Sequence, residues 1–320
     1  MANRRDMPGG AHSGRHSAPD AQALRPGRRP GASAQPASHD VGADVSAEAV
    51  TQRAHRRRKN RRVSNILLVI GIALLVLAGL GFGYIWYQYH EGKTHYATIQ
   101  ETSGVTEGAV RQVASSDDAS DTLDVNWDAL RAINSDLVGW IAIPDTVVNY
   151  PVVQTTDNSR YLTEAFDSSS GIYGAVFMDC DSKSDLSDFH TVIYGHHLRN
   201  GQMFACLANY TDQSYFDEHP TVIYATPQAT HRLTVIGAYA EQANDDMRTT
   251  TFSSAQSRTA YVQEQLGKCS AKADVQPSQV THLYSLITCS YNTNDERTVL
   301  LCYEQGPVVA PARASVAATG

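Results

Sequence analysis

Between Ile66 and Tyr87 the chain reads ILLVIGIALLVLAGLGFGYIWY, without a single charged residue. Crossing a hydrocarbon core takes roughly 20 apolar helical residues. The run therefore fixes the plan of the chain, because the segments before and after it are expected on opposite sides of a membrane. Arg53, Arg56, Arg57, Arg58, Lys59, Arg61 and Arg62 crowd its N-terminal end, and no comparable cluster follows it. The basic side of such a span stays in the cytoplasm, which puts residues 88–320 outside. Tyr84, Trp86 and Tyr87 then suit the outer interface. A cleaved signal peptide is the alternative; the long preceding arm and the missing small-x-small cleavage site weigh against it.

Charge divides along the same line. Residues 1–62 hold thirteen Lys and Arg against five Asp and Glu, whereas the whole chain holds 26 against 33. A basic arm on an acidic body raises nucleic-acid binding as a class, but the basic residues abut the apolar run, and membrane orientation accounts for them better. No nucleic-acid partner is expected. Residues 1 to about 50 are rich in Ala, Pro, Gly, Ser and Arg and poor in large apolar side chains, so burial cannot offset the entropy of ordering them. The reading is a disordered basic cytoplasmic arm over 1–62, a transmembrane helix over 63–88 and a polar extracellular stalk over 89–122. A folded body over 123–307 and a flexible tail over 308–320 follow.

Inside the body a helical signal comes first, with Trp127, Leu130 and Ile133 on one face of Val125 to Ile133. Short β-branched and aromatic runs follow at 140–143, 147–153, 175–178, 191–194, 221–225, 233–238, 282–288 and 297–303. Eight short strands favour a barrel or a sandwich. Helical inserts are expected at Met203 to Tyr210 and from Ser254 to Lys268, the second between the sixth and seventh strands.

Five cysteines, at 180, 206, 269, 289 and 302, form no CxxC pair and no zinc-like spacing. Their odd number leaves at least one thiol free. Cys289 ends an apolar strand and precedes the polar stretch Ser290 to Asp295, a position from which a nucleophile is presented on a rigid rim. Taken alone, such a cysteine is more often a small buried hydrophobe. His196, in Tyr194-Gly195-His196-His197, follows another apolar strand. An imidazole beside a thiol can take its proton and later deliver it to a leaving amine. The adjacent histidines also raise metal binding or a structural pair, but strand neighbours point to opposite faces and no carboxylate group accompanies them at ligand spacing. Arg297 opens the last strand; if the chain turns back antiparallel, its guanidinium returns to the thiol's end and would stabilise an oxyanion. A surface ion pair with Asp295 or Glu296 is the plain alternative.

With those residues the sequence resembles the sortases, the cysteine transpeptidases of Gram-positive cell surfaces. Leu286-Ile287-Thr288-Cys289 is similar to their TLxTC signature, Tyr194-Gly195-His196 to their histidine strand and Arg297 to their arginine. Asn134 to Ile141, Tyr150 to Gln154 with Asp157-Asn158, Gly174 to Asp179 and His197 to Phe204 look specifically like class B. Two positions depart from the pattern: Ser285 leads the signature, and Ser290 stands where some class B members carry an acidic residue. The resemblance implies a mainly β fold, an eight-stranded sortase β-barrel with an N-terminal helix and a helix inserted between strands 6 and 7. It implies Cys289 as nucleophile, His196 as acid/base, with His197 as fallback, and Arg297 as oxyanion or substrate stabiliser. Asn158 and Tyr161 are candidate walls of the groove, and Thr288 and Ser290 candidate contacts to the substrate backbone. Partners would be surface proteins or pilins with a C-terminal sorting signal, and an amine from a cell-wall precursor or a pilin lysine. No cofactor and no metal are expected. A catalytically silent binding module on the same fold and a purely hydrolytic cysteine peptidase are the competing readings.

Overall fold

The computed structural model describes residues 42–116, 118, 121–289, 296–304 and 308–309, and Cys289 by its backbone. Eight strands build the body: β1 (Leu137–Ala142), β2 (Asn149–Val153), β3 (Val176–Met178) and β4 (His190–Gly195), then β5 (Thr221–Ala225), β6 (Ala229–Gln242), β7 (Leu283–Cys289) and β8 (Glu296–Glu304). They run in the order β6-β5-β1-β2-β3-β4-β7-β8, and β8 pairs back onto β6, so the sheet closes into a barrel. The neighbours are antiparallel except β2 with β3 and β4 with β7, which are parallel. Two-residue strands at Ala271–Lys272 and Val308–Val309 add to β6. All eight strands fall on the runs read from the sequence.

Alternation along the strands feeds two cores. On β7, Leu283 and Ile287 join Phe189, Val192, Tyr239 and Val299 in one cluster, while Tyr284 and Leu286 join Trp140, Tyr150 and Tyr224 in the other. Successive side chains of a strand point to opposite faces, so both faces of this part of the wall are covered. Helix α5, whose range is Ala255–Lys268, covers the first cluster with Tyr261, Val262 and Leu266. It starts where the sequence expects, because Ser254 caps it and Ser257 returns the bond in a capping box.

The N-terminal part differs from expectation. Helix α1 spans Gly42–Ser103, and α2 spans Glu107–Ser115. Residues 42–62 are helical rather than an unordered arm, which fits the Ala, Glu, Gln and Arg that supply strong helix formers next to an apolar helix. The arm expectation over 1–41 lies outside the described residues. The large side chains of the apolar run are exposed. Over the segment read as a stalk, Tyr96, Ile99, Val105, Val110 and Val113 are buried in the barrel's main cluster. Within each helix their spacing of three places the pair on one face. Helix α3 (Trp127–Ile133), capped by Asn126, buries Leu130 but leaves Ile133 exposed. The expected helix near Met203 is a 3-10 helix, Ala205–Thr211, followed by the short helix α4 (Gln213–Glu218) under the Asp212 cap. Of the tail, residues 310–320 lie outside the described residues.

Candidate active site

Strand pairing assembles one end of the barrel. In the parallel pair β4/β7 the last register partners are Gly195 and Thr288, so His196 and Cys289 leave adjacent strands side by side. In the antiparallel pair β7/β8, Cys289 lies opposite Arg297. His196, distant in sequence, thus comes from a backbone position neighbouring those of Cys289 and Arg297. The stretch 290–295 between β7 and β8, Ser290 included, lies outside the described residues.

A cleft of about 450 Å³ opens at this end, with His196, Thr288 and Arg297 in its walls beside Asn158, Leu162, Phe177, Tyr194 and Ile287. Its far rim is the 3-10 turn Asp245–Arg248 in the segment between β6 and α5, where Arg248 pairs with Asp245 at 2.9 Å. His197 is not part of the lining; it forms an isolated bridge with Met203. What approaches Gly195 is the ring of Phe204, since a Cβ there would lie 2.6 Å from it.

His196 is held on several sides. Its Nε2 lies 2.7 Å from the Leu162 carbonyl. A carbonyl only accepts, so Nε2 carries the proton and Nδ1 is the nitrogen left to exchange one. Its own carbonyl accepts from Phe204 N at 2.8 Å. Burial lowers the imidazole's pKa below the ordinary 6.5, and the Leu162 hydrogen bond works against that shift. Arg297 donates from Nη1 to the Glu296 carbonyl at 3.2 Å and is half-buried.

The remaining candidates separate. Thr288 is buried in the cleft wall, and its Oγ1 has no hydrogen-bond partner among the described residues. Asn158 lines the cleft, but both ends of its amide are engaged: Nδ2 donates to Asp179 Oδ2 at 3.0 Å and Oδ1 accepts from Cys180 N at 2.9 Å. Tyr161 is not a groove wall. It is absent from the lining and 1% exposed, and its hydroxyl donates to Asp136 and accepts from Asn134.

A residue not singled out as a site candidate in the sequence supports two of the lining side chains. Asp179 is 1% exposed and accepts from the Tyr194 hydroxyl at 2.7 Å, from Asn158 and from Asp181 N. Burial and the Asp179 charge push the Tyr194 hydroxyl's pKa well up, so it stays a donor. Nothing in the run Val176-Phe177-Met178-Asp179 announces this partnership, which the β3/β4 register creates. The other four thiols are all free, and burial raises each pKa: Cys180 upward, Cys206 to about 11, Cys269 to about 12 and Cys302 further still.

Residues 141–305 match the sequence profile of the sortase domain. Sortase B of Staphylococcus aureus is 27% identical over 243 residues, which cover 75% of this chain and 97% of that protein. Among solved structures, a Staphylococcus aureus sortase B–substrate complex superposes with a TM-score of 0.58 at 25% identity, over 68% of this chain and 98% of the other. A sortase B complexed with triglycine does so with a TM-score of 0.57 at 25% identity, with the same coverage. The chain belongs to the sortase family, the cysteine transpeptidases whose barrel it shares. Within that family it is a class B sortase.

Proposed function

We propose that this sortase cleaves a C-terminal sorting signal through a thioacyl-enzyme on Cys289 and passes the acyl group to an amine of the cell wall or of a pilin. The observation that supports this reading is the paired register, Gly195 with Thr288 and Cys289 with Arg297, at the end of the barrel where a cleft is lined by His196, Thr288 and Arg297.

In this mechanism the Cys289 thiolate attacks the scissile carbonyl carbon, and the developing oxyanion sits beside the guanidinium of Arg297. As the carbon–nitrogen bond breaks, the proton that His196 Nδ1 took from the Cys289 thiol passes to the leaving amine. An incoming amine then attacks the thioester carbonyl, His196 takes the amine's proton, and the sulfur leaves as thiolate. Nearby positive charge favours a thiolate, whereas burial holds the other four thiols protonated. Thr288 lines the cleft, which favours a contact with the substrate. Asn158 acts by holding Asp179 and the turn at Cys180.

Relatives are known with a substrate and with triglycine bound, which supports a peptide donor and an amine acceptor here. The apolar run 66–87 would anchor the enzyme with its N-terminus in the cytoplasm and the body from 123 to 307 facing the cell wall of a Gram-positive cell. In that setting hydrolysis, the cysteine-peptidase reaction, is the side path in which water takes the acyl group.

Chromatography of the products from a sorting peptide with a threonine at the scissile bond, the site the resemblance to the sortases implies, tests the proposal, with triglycine, diaminopimelate or a lysine amine added in turn. At least one amine should divert product from the free acid to the amide. An unchanged yield of free acid with every amine would mean a hydrolytic peptidase.

A further inference from the structure

The part of α1 just beyond the apolar run is docked on the catalytic end of the barrel. Gly92 lies against the ring of Tyr173, His95 pairs with Asp167 at 3.3 Å, and Gln100 donates to the Asn149 carbonyl at 2.8 Å. Tyr96 is at the centre of this contact, 3% exposed and edge-on to both Tyr150 and Tyr173.

Its hydroxyl donates to the Gly174 carbonyl at 2.6 Å. Gly174 has φ +52, and a Cβ there would come within 2.9 Å of both Cδ2 and Nε2 of His196 and 2.5 Å of the Tyr161 carbonyl oxygen. The glycine Cα is therefore pressed onto the imidazole, beside the Nε2 that Leu162 holds. Ala175 N donates to the Tyr161 carbonyl at 3.0 Å, which closes the loop carrying Leu162 and Gly174. On its other side Tyr96 meets Tyr150, whose hydroxyl accepts from Met203 N at 3.1 Å. The next residue, Phe204, donates its N–H to the His196 carbonyl. One side chain of the anchor helix thus touches both supports of the histidine: the loop against its ring and the segment bonded to its backbone.

We infer that Tyr96 is a positioning residue for catalysis, fixing the imidazole of His196 through Gly174 and through the Tyr150–Met203 contact, so that the helix leading from the apolar run is a working part of the site. This rests on the reading of His196 as the acid/base. A misplacement of a reacting group by about 1 Å can cost on the order of a hundredfold in rate, and a single lost tether should cost part of that.

The test uses the full-length enzyme in detergent micelles, with an internally quenched threonine-centred sorting peptide as donor and triglycine as acceptor. Tyr96→Phe removes one oxygen and keeps the ring packing. It should lower kcat about tenfold with KM within about twofold. In nitrogen-15 NMR of labelled histidine, the His196 signal should lose its single Nε2-protonated form. Gln100→Ala cuts a different bond between the same helix and the barrel; it should lower the melting temperature and leave kcat and the His196 signal as in the parent. His196→Ala separates the two layers of the argument. If it keeps full turnover, the acid/base reading falls and this inference with it. If it is inactive while Tyr96→Phe turns over at the parent rate with an unchanged His196 signal, the positioning role alone is overturned. Equal losses of kcat in Tyr96→Phe and Gln100→Ala would likewise overturn it in favour of general docking.

Discussion

At the scale of single residues, the site depends on polar groups that the sequence presents as ordinary. Cys289, His196 and Arg297 stand out as candidates in the sequence because a thiol, an imidazole and a guanidinium at strand ends suggest chemistry by their type. Asp179 does not, because a carboxylate at a strand end reads as solvated; only the pairing of β3 with β4 puts it under Tyr194. His190 was missed for the same reason. It is fully buried, and its Nδ1 lies 2.7 Å from the Thr249 carbonyl and its Nε2 2.7 Å from Ser285 Oγ. The carbonyl requires a proton on Nδ1, which leaves Nε2 to accept from the serine, so the neutral ring satisfies both partners. Burial accordingly lowers its pKa from 6.5 to about 4.

That shift has a direction in stability. The unfolded chain takes up a proton near its ordinary pKa and the folded one resists it, so the His190 contribution is complete above pH about 6.5 and fades toward pH about 4. At roughly 1.4 kcal/mol per pH unit, the loss through this residue reaches about 2 kcal/mol by pH about 5. Urea unfolding of the parent and of His190→Asn at neutral pH and at pH about 5 should show a smaller loss on acidification in the variant. Equal losses in the two would contradict the assignment.

At the scale of elements, the strands, the apolar part of α1 and helix α3 were legible, and the docked end of α1 and helix α2 were not. The strands carry dense β-branched and aromatic runs bounded by turns, whereas α1 beyond residue 91 and α2 offer isolated apolar residues among polar ones. Tyr96, Ile99, Val110 and Val113 become a buried face only once the barrel supplies the opposite surface. The short α4 was passed over because six residues give too little periodicity, although its Asp212 cap is visible. Ile99→Ala distinguishes a docked helix from a stalk: a side chain 3% exposed in the core should cost about 2–4 kcal/mol on truncation. A stalk residue should change stability by less than about 0.5 kcal/mol, and a value that small in urea unfolding would restore the stalk reading.

At the scale of the whole molecule, closure of the barrel makes the site. The parallel β4/β7 pair sets the histidine strand beside the cysteine strand, the antiparallel β7/β8 pair returns the arginine, and the segment between β6 and α5 supplies the far rim of the cleft. Sequence periodicity gives the eight strands but not their order, because alternation reports which face is buried and not which neighbour buries it. The closed barrel came from the resemblance, and the structure shows the strand order and registers.

The central claim is that Cys289 carries the acyl group, and intact-mass and tryptic mass spectrometry test it most directly. Full-length enzyme mixed with a threonine-centred sorting peptide without acceptor, then quenched in acid, should carry the peptide's N-terminal fragment on the tryptic peptide containing Cys289. Triglycine should discharge it, and Cys289→Ala should form none. An adduct on Cys180, Cys206, Cys269 or Cys302, or undiminished cleavage by Cys289→Ala, would contradict the account.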